Sequence, residues 1–391
     1  MSNCFNHNIS LIFLFDFLNG LKFFGAIGIV IFATIAGNYT LGMSVFSIIA
    51  LSATLSEVPT GILSDWIGRK KTMVIGALCS FLAVLLFSLA SDFTLLCMGG
   101  TFMGIAQALF SGNNSALLYD TLKVCNNLHS HHKILGYCHT VGYVSMAVSA
   151  LICALILYLG FNFSTLLWLS LIPQGLALCT TLAIKDPKIP HKHDRNLYLH
   201  LKKAFSLLQN NKKAKWLTLA FIEDCSIGYV GYNMITAFIN TIIPTWFIGI
   251  FESVFCMLGG IGAYISSTVI KKTGYLRGLI YGTFLTGVFR IFSVFLGTVT
   301  APILFVFSQF IYAVTDATQQ HLLQLEYTDE ERATIGSITS FISGIVWSIA
   351  GILTGWLADA TNVQTALVIV YLIWMIRILL FKKALKQFPS K

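Results

Sequence analysis

The chain has 391 residues, of which 56% are hydrophobic, 13% aromatic and only 10% charged, and its mean hydropathy is +0.78. That leaves too little polar surface to cover a water-soluble globule, so the composition excludes a soluble enzyme and points to a membrane protein. The formal net charge is +9, but the basic residues are dispersed over loops with no soluble domain beside them, which excludes a nucleic-acid partner and leaves anionic lipid.

A helix needs about 20 apolar residues to cross roughly 30 Å of hydrocarbon. In chain order such runs fall at 10–33, 40–64, 72–90, 93–121, 134–158, 162–184, 216–238, 245–270, 278–298, 301–325, 333–358 and 363–381. These are twelve expected spans in an all-α membrane protein. No cleaved signal peptide is expected, since residues 1–8 carry no basic segment and the first run is long enough to stay as a helix. Gly228, Gly231 and Pro244 interrupt the pattern between 225 and 260 and loosen the boundaries there. Lys and Arg number 3 in 66–72, 2 in 121–133, 9 in 185–215, 3 in 271–277, 1 in 327–332 and 5 in 377–391, which is 23 of the 25. With alternating spans all six segments share one side, and the opposite loops around Asn38, Ser91, Phe161, Thr241, Thr300 and Asn362 carry none. The positive-inside rule then puts both termini in the cytoplasm. The other two cations, Lys22 and Arg290, fall within spans.

Between the second and third spans the chain reads Glu57-Val-Pro-Thr-Gly-Ile-Leu-Ser-Asp-Trp-Ile-Gly-Arg-Lys-Lys71. Gly61, Asp65, Gly68, Arg69 and Lys70 fill a Gly-x-x-x-Asp-x-x-Gly-Arg-Lys pattern. This resembles the signature loop of major facilitator superfamily transporters, and the preceding Glu57, Pro59 and Thr60 resemble a subgroup of small bacterial members. The resemblance implies two pseudo-symmetric six-helix bundles, here 1–184 and 216–391 joined by a cytoplasmic linker at 185–215, in a bacterial cytoplasmic (inner) membrane. Internal similarity supports that division. Asp16 is followed four residues later by Gly20 in the first span, and Asp224 four residues later by Gly228 in the seventh.

The family resemblance also implies a conformational latch. Asp65 would face the N-terminal dipole of the eleventh helix, near Arg332, while Arg69 would reach Asp120 at the end of the fourth. The alternative is that Arg69, Lys70 and Lys71 only enforce topology. The related turn of the second half, Lys271-Lys-Thr-Gly-Tyr, keeps the glycine but lacks the aspartate.

An ionisable group at bilayer depth costs roughly 2.5–3.5 kcal/mol on insertion scales unless it faces a cavity or a partner. Asp16, Asn19 and Lys22 form a polar stripe on the first span, and Glu223 and Asp224 sit at the related depth of the seventh. In the family those helices line the substrate cavity, as do the fourth and tenth, which here carry Asn113 and Asn114, and Asp316 with Gln319. The bland alternatives are that Asp16 and Lys22 neutralise one another and that Glu223 lies at the interface. Glu57, beside the helix-bending Pro59, is a candidate gate or proton site. Among the acids, Asp224 is the first expectation for the coupling proton, because Lys22 stands near Asp16 to hold it ionised. Arg290, in a peripheral helix of the family, is expected to make a structural pairing.

Nine cysteines stand singly and offer no metal pattern. His129, His131 and His132 lack a carboxylate or thiolate to complete a shell, so no metal and no cofactor is expected. Asn38-Tyr-Thr and Asn162-Phe-Ser match a glycosylation sequon, a chance match in polar loops. With no nucleotide loop of the Gly-x-x-x-x-Gly-Lys-Ser/Thr type, the expected function is secondary transport of a small-molecule substrate. The leading expectation is a proton-coupled exporter of drugs or metabolites, acting as a monomer. An importer of a nutrient such as an amino acid is the second, and a transporter-like sensor without transport the third. Single cysteines introduced into 185–215 should be labelled only by membrane-permeant reagents in intact cells, and labelling by an impermeant reagent would overturn the orientation.

Overall fold

The computed structural model describes residues 2–125, 127, 131–187, 209, 211–327 and 329–385. The regular elements among them are all helical. They are α1 (Ser2–Gly20), α2 (Gly28–Ala36), α3 (Tyr39–Ile67), α4 (Arg69–Leu89), α5 (Phe93–Phe110), α6 (Asn113–Val124), α7 (His131–Tyr158) and α8 (Phe163–Ala183). After the linker follow α9 (Lys212–Glu223), α10 (Tyr229–Ile239), α11 (Thr245–Thr273), α12 (Tyr275–Leu296), α13 (Ala301–Glu326), α14 (Asp329–Ala360), α15 (Val363–Trp374) and α16 (Arg377–Leu385). The expected amphipathic stretch 197–208, most of the 185–215 linker and His129 lie outside the described residues.

Eleven stretches among the described residues are long and apolar enough to cross a membrane, and the chain is a multi-pass membrane protein. They coincide with eleven of the twelve expected spans. The exception is 216–238, where α9 and α10 are separated by a π-helical turn at Asp224–Gly228. Two of the eleven contain marked breaks: α1 and α2 are parted by an irregular segment with a 3-10 turn at Gly25–Ile27, and α5 and α6 by Ser111–Gly112.

Local sequence explains the helix ends. Asn38, Asp92, Asn162 and Asn362 each accept a hydrogen bond from the backbone N–H three residues on, at 2.8, 3.0, 3.0 and 2.7 Å. These are N-caps that satisfy donors the helix itself cannot. The two sequon asparagines are therefore helix caps. At the opposite ends of α3 and α11 the chain turns on Gly68 and Gly274, with φ of +94° and +79°, a region that side chains other than glycine's strain to enter. The glycine shared by the two related turns thus has one backbone reason.

The described chain groups into two units, Met1–Lys192 with Pro244–Ser253, and His193–Ile243 with Val254–Lys391. Pro244–Ser253, which the sequence division assigns to the second half, packs with the first. In the first unit Ile12, Phe15, Met73, Leu117 and Leu122 form a buried cluster. In the second, Leu217, Leu279, Leu322 and Phe381 form another. Large apolar side chains such as Trp66, Tyr264 and Phe295 are 82%, 88% and 74% exposed, as lipid contact allows and water does not.

Within the first unit small residues set the helix separation, the usual arrangement where lipid supplies no hydrophobic drive. A Cβ on Gly104 of α5 would press on the Ile49 carbonyl, the Ser52 Cβ and the Ala53 N of α3. Gly104→Val should lower stability by about 1–3 kcal/mol, with occasional overpacking costing more, read as a fall in the unfolding midpoint of the purified protein in detergent. An unchanged midpoint would show that α3 and α5 can separate freely.

Candidate functional site

In the second unit the polar residues converge on Asp224. The π turn that begins at this residue adds one residue to the helical turn, a feature frequent at functional sites. Its Oδ1 accepts from Trp374 Nε1 at 2.8 Å and from Arg377 Nη1 at 2.5 Å, and its Oδ2 accepts from the Tyr312 hydroxyl at 2.8 Å. Gly228 makes room for this, since a Cβ there would stand 2.9 Å from Asp224 Oδ1 and 3.2 Å from Trp374 Nε1. Arg377 is fully buried. Its Nη2 donates to Gln319 Oε1, and Gln319 Nε2 in turn donates to the Leu217 carbonyl at 3.0 Å. The guanidinium lies 5.2 Å from the ring centres of both Trp374 and Phe381.

Arg290 extends the network. It is 4% exposed, and its guanidinium sits 5.1, 5.6 and 5.4 Å from the rings of Tyr312, Tyr371 and Trp374. Its bonds to Ser308 Oγ and Gln309 Oε1, at 3.4 and 3.3 Å, are long. Aromatic faces thus supply the stabilisation that a carboxylate otherwise would. Asp316 accepts from Gln320 Nε2 at 2.8 Å. Glu223, next to Asp224, has both carboxylate oxygens buried with no hydrogen-bond partner among the described residues.

The sequence reading placed Arg377 among the cations of the last basic segment. It is instead half of a buried ion pair, because the apolar Ile378-Leu-Leu-Phe381 that follows draws it into the span. That apolar continuation was the available signal. Trp374 and Tyr312 are not singled out by the sequence, in which aromatics make up 13% of the residues.

In the first unit the expected stripe gathers around the end of α1. Lys22 Nζ donates to the Asn19 carbonyl at 2.7 Å and to its Oδ1 at 3.3 Å. Gln174 Nε2 donates to the Leu18 and Asn19 carbonyls at 3.3 and 3.2 Å, and Ser145 Oγ to that of Phe17 at 2.7 Å. Ser80 Oγ donates to Gln174 Oε1 at 2.9 Å. Asp16 lies beside the Cys138 thiol. The expected neutralisation of Asp16 by Lys22 is not made: the helix ends at Gly20, and the ammonium turns back onto the carbonyls left open there.

The signature residues form a compact knot. Arg69 Nη2 pairs with Asp65 Oδ1 at 3.0 Å, and its Nη1 donates to Ser64 Oγ at 2.9 Å. Ser64 donates to Asn113 Oδ1 at 2.8 Å, and Asn113 Nδ2 to the Arg69 carbonyl at 3.1 Å. The knot ties α3, α4 and α6 together around Gly68. Arg69 does not reach Asp120, which is 5% exposed; its one-turn partner Asp65 holds it. Gly61 is exposed. Glu57 is half-buried and makes no hydrogen bond or ion pair with the described residues. Its neighbour Thr60 bonds the Ser56 carbonyl at 2.7 Å, following the break in the ladder at Pro59. Asn114 Oδ1 is buried and unbonded. Among the described residues no cluster of His, Cys, Asp or Glu could hold a metal.

The family model described as Major Facilitator Superfamily matches residues 9–351. No curated protein matches the chain by sequence. Among solved structures, the nucleoside transporter NupG superposes with a TM-score of 0.79 at 14% identity, over 96% of this chain and 99% of its own. A bacterial homolog of the human lysosomal transporter Spinster gives 0.79 at 13%, over 100% and 98%. The E. coli fucose:proton symporter FucP gives 0.62 at 17%, over 99% and 98%. At these identities the likeness is one of fold.

Removing one member of a buried ion pair strands the other, at about 3–5 kcal/mol, whereas removing both is far less costly. Arg377→Met should therefore destabilise the protein by about 3–5 kcal/mol, and Asp224→Asn combined with Arg377→Met should recover most of that loss in detergent unfolding. Additive losses in the double variant would mean that the two residues act independently.

Proposed function

Because the chain belongs to the Major Facilitator Superfamily, we propose that it is a secondary transporter moving small organic molecules across a bacterial inner membrane by alternating access, as a proton-coupled exporter. The observation that carries this reading is the acidic set at bilayer depth. Asp224 lies in a buried ion network, and Glu223 is buried beside it without a partner. Ionisable residues retained within spans against their cost mark ion and substrate pathways. Asp16, Asn19, Lys22, Asn113, Asn114 and Asp316 would contribute to the substrate path. The knot of Gly61, Asp65, Gly68 and Arg69, with Asp120 of α6, would act as the state-dependent latch.

On this reading the helical backbone of Lys212–Ile239, with its π turn, supplies the twelfth span. Two six-helix bundles, 1–184 and 216–391, are then joined by the 185–215 linker, with both termini in the cytoplasm. The protein works as a monomer in contact with anionic lipid. Export is favoured by the Glu57-Val-Pro-Thr-Gly sequence, which resembles that of small bacterial exporters. An importer is the second reading, favoured by the fold shared with the fucose:proton symporter.

The test is transport into everted and right-side-out vesicles under an imposed proton gradient, with a panel of metabolites and drugs. Accumulation of a panel member in everted vesicles, abolished by an uncoupler, is expected of the exporter. Accumulation only in right-side-out vesicles would replace it with the importer, and accumulation indifferent to the uncoupler would remove the proton.

A further inference from the structure

Two buried groups of opposite character in the second unit have no hydrogen-bond partner among the described residues. The carboxylate of Glu223 has both oxygens buried and unbonded, and Arg377 Nε is buried and unbonded as well. Glu223 is adjacent in sequence to Asp224, and it is within electrostatic reach of Arg377. An ionised carboxylate buried with no hydrogen bond is the costly state of that group, whereas a neutral acid tolerates such a site better. Asp224, by contrast, accepts hydrogen bonds from three donors, Trp374, Arg377 and Tyr312.

We propose that Glu223, and not Asp224, holds the coupling proton, and that its release moves Arg377 from Asp224 onto Glu223. The proposal rests on the proton-coupled transport reading above and names the residue and the switch within it. In the arrangement seen here Glu223 is the neutral acid and Arg377 pairs with Asp224. When the Glu223 proton leaves to water, the new carboxylate attracts the guanidinium, whose Nε–H is still free to donate. Asp224 can give up that partner because the indole of Trp374 and the hydroxyl of Tyr312 continue to bond it. Neither Trp374 nor Tyr312 needs to move.

The local backbone suits such an exchange. Glu223 immediately precedes the π turn, and the Ile222 carbonyl before it is bonded by Ser226 Oγ at 2.7 Å and approached by Ser343 Oγ of α14 at 3.5 Å. A π turn holds one residue more than an α-helical turn, so shifting it along the helix rotates the side chains before it. The other titratable and charged groups around Glu223 are few. The charged groups that act on it are Arg377 of α16 and the adjacent Asp224, and Cys225 follows on its own segment; Tyr229, with Tyr312 and Asp316 of α13, joins the cluster through Asp224 and Arg377, and Arg290 of α12 through the Tyr312 and Trp374 rings. From α14 the contact is the neutral Ser343. Asp316 already has Gln320 as a donor, which leaves Glu223 as the acid of this cluster with no donor of its own.

Infrared difference spectroscopy of the full-length protein in liposomes, acid against alkaline, reads the proton directly and needs no substrate. The wild type should show a protonated-carboxyl C=O component that disappears at alkaline pH. Glu223→Gln should lose that component. Glu223→Asp, which guards against a misfolded glutamine variant, should keep it at a shifted frequency. Asp224→Asn should lose it too, since an Arg377 freed of Asp224 holds Glu223 ionised even in acid. The component surviving in Glu223→Gln would overturn the assignment of the proton, and surviving at full strength in Asp224→Asn would overturn the exchange of Arg377. If the component behaves as stated while vesicles transport nothing on the panel, the Glu223 assignment stands and the transport reading fails.

Discussion

A bilayer interior supplies no hydrogen bonds, so every polar group carried into it must find a partner within the protein. That constraint organises both units. Helix α1 stops at Gly20 within the first apolar run and leaves carbonyls open. Those of Phe17, Leu18 and Asn19 are bonded by Ser145, Gln174 and Lys22, drawn from three different parts of the chain. Each donor ties a neighbouring segment to the break, so the irregular backbone becomes the centre of its surroundings. In the second unit the same demand is met by charge: Asp224 collects three donors, and Arg377 passes the connection on through Gln319 to the Leu217 carbonyl.

The ionic solution is not chosen for stability. Desolvating two charges costs as much as or more than their attraction returns, and apolar replacements of similar volume are often as stable. What the pair supplies is definition, because a guanidinium with fixed partners on two sides admits few alternative packings of α9, α13 and α16. The aromatic residues serve a second purpose in this respect. Tyr312 and Trp374 donate to Asp224 while presenting their faces to Arg290, and Trp374 also faces Arg377, so one anion and two cations share the Trp374 ring. The Trp374 ring lowers the cost of burying both guanidinium groups.

Much of this was legible in the sequence. Hydropathy located eleven of the spans found among the described residues, and the paired Asp16–Gly20 and Asp224–Gly228 spacings marked two of the places where helical backbone departs from regularity. The glycine common to Gly68 and Gly274 was visible as a repeat, and its reason, a positive φ, became visible only in the backbone. Partnership was not legible. Arg377 reads as one more basic residue near the last apolar run, and only its position before Ile378-Leu-Leu-Phe381 hints that it is buried. The Asp16–Lys22 pairing was the natural inference from a helical stripe, but a stripe assumes that the helix continues. Because α1 ends between the two residues, Lys22 follows the open carbonyls and not the carboxylate. Arg69 presents the same lesson, with an acid one turn away competing successfully against Asp120.

The related positions Asp16 and Asp224 show how a repeated sequence feature can come to serve different ends. Asp224 is fixed by an indole, a hydroxyl and a guanidinium, whereas Asp16 lies beside a thiol and pairs with no cation among the described residues. A carboxylate held by three strong donors is fixed in place by them, and one beside a single thiol is not. Conservation of the acid across the repeat therefore does not carry conservation of its chemistry. In the second unit the freedom to titrate passes to the adjacent Glu223, which the network of Asp224 leaves without a donor. In the first unit Asp16 has no acidic neighbour in sequence to take that place, and the fixed charge is instead the cation, Lys22, held against the end of its own helix.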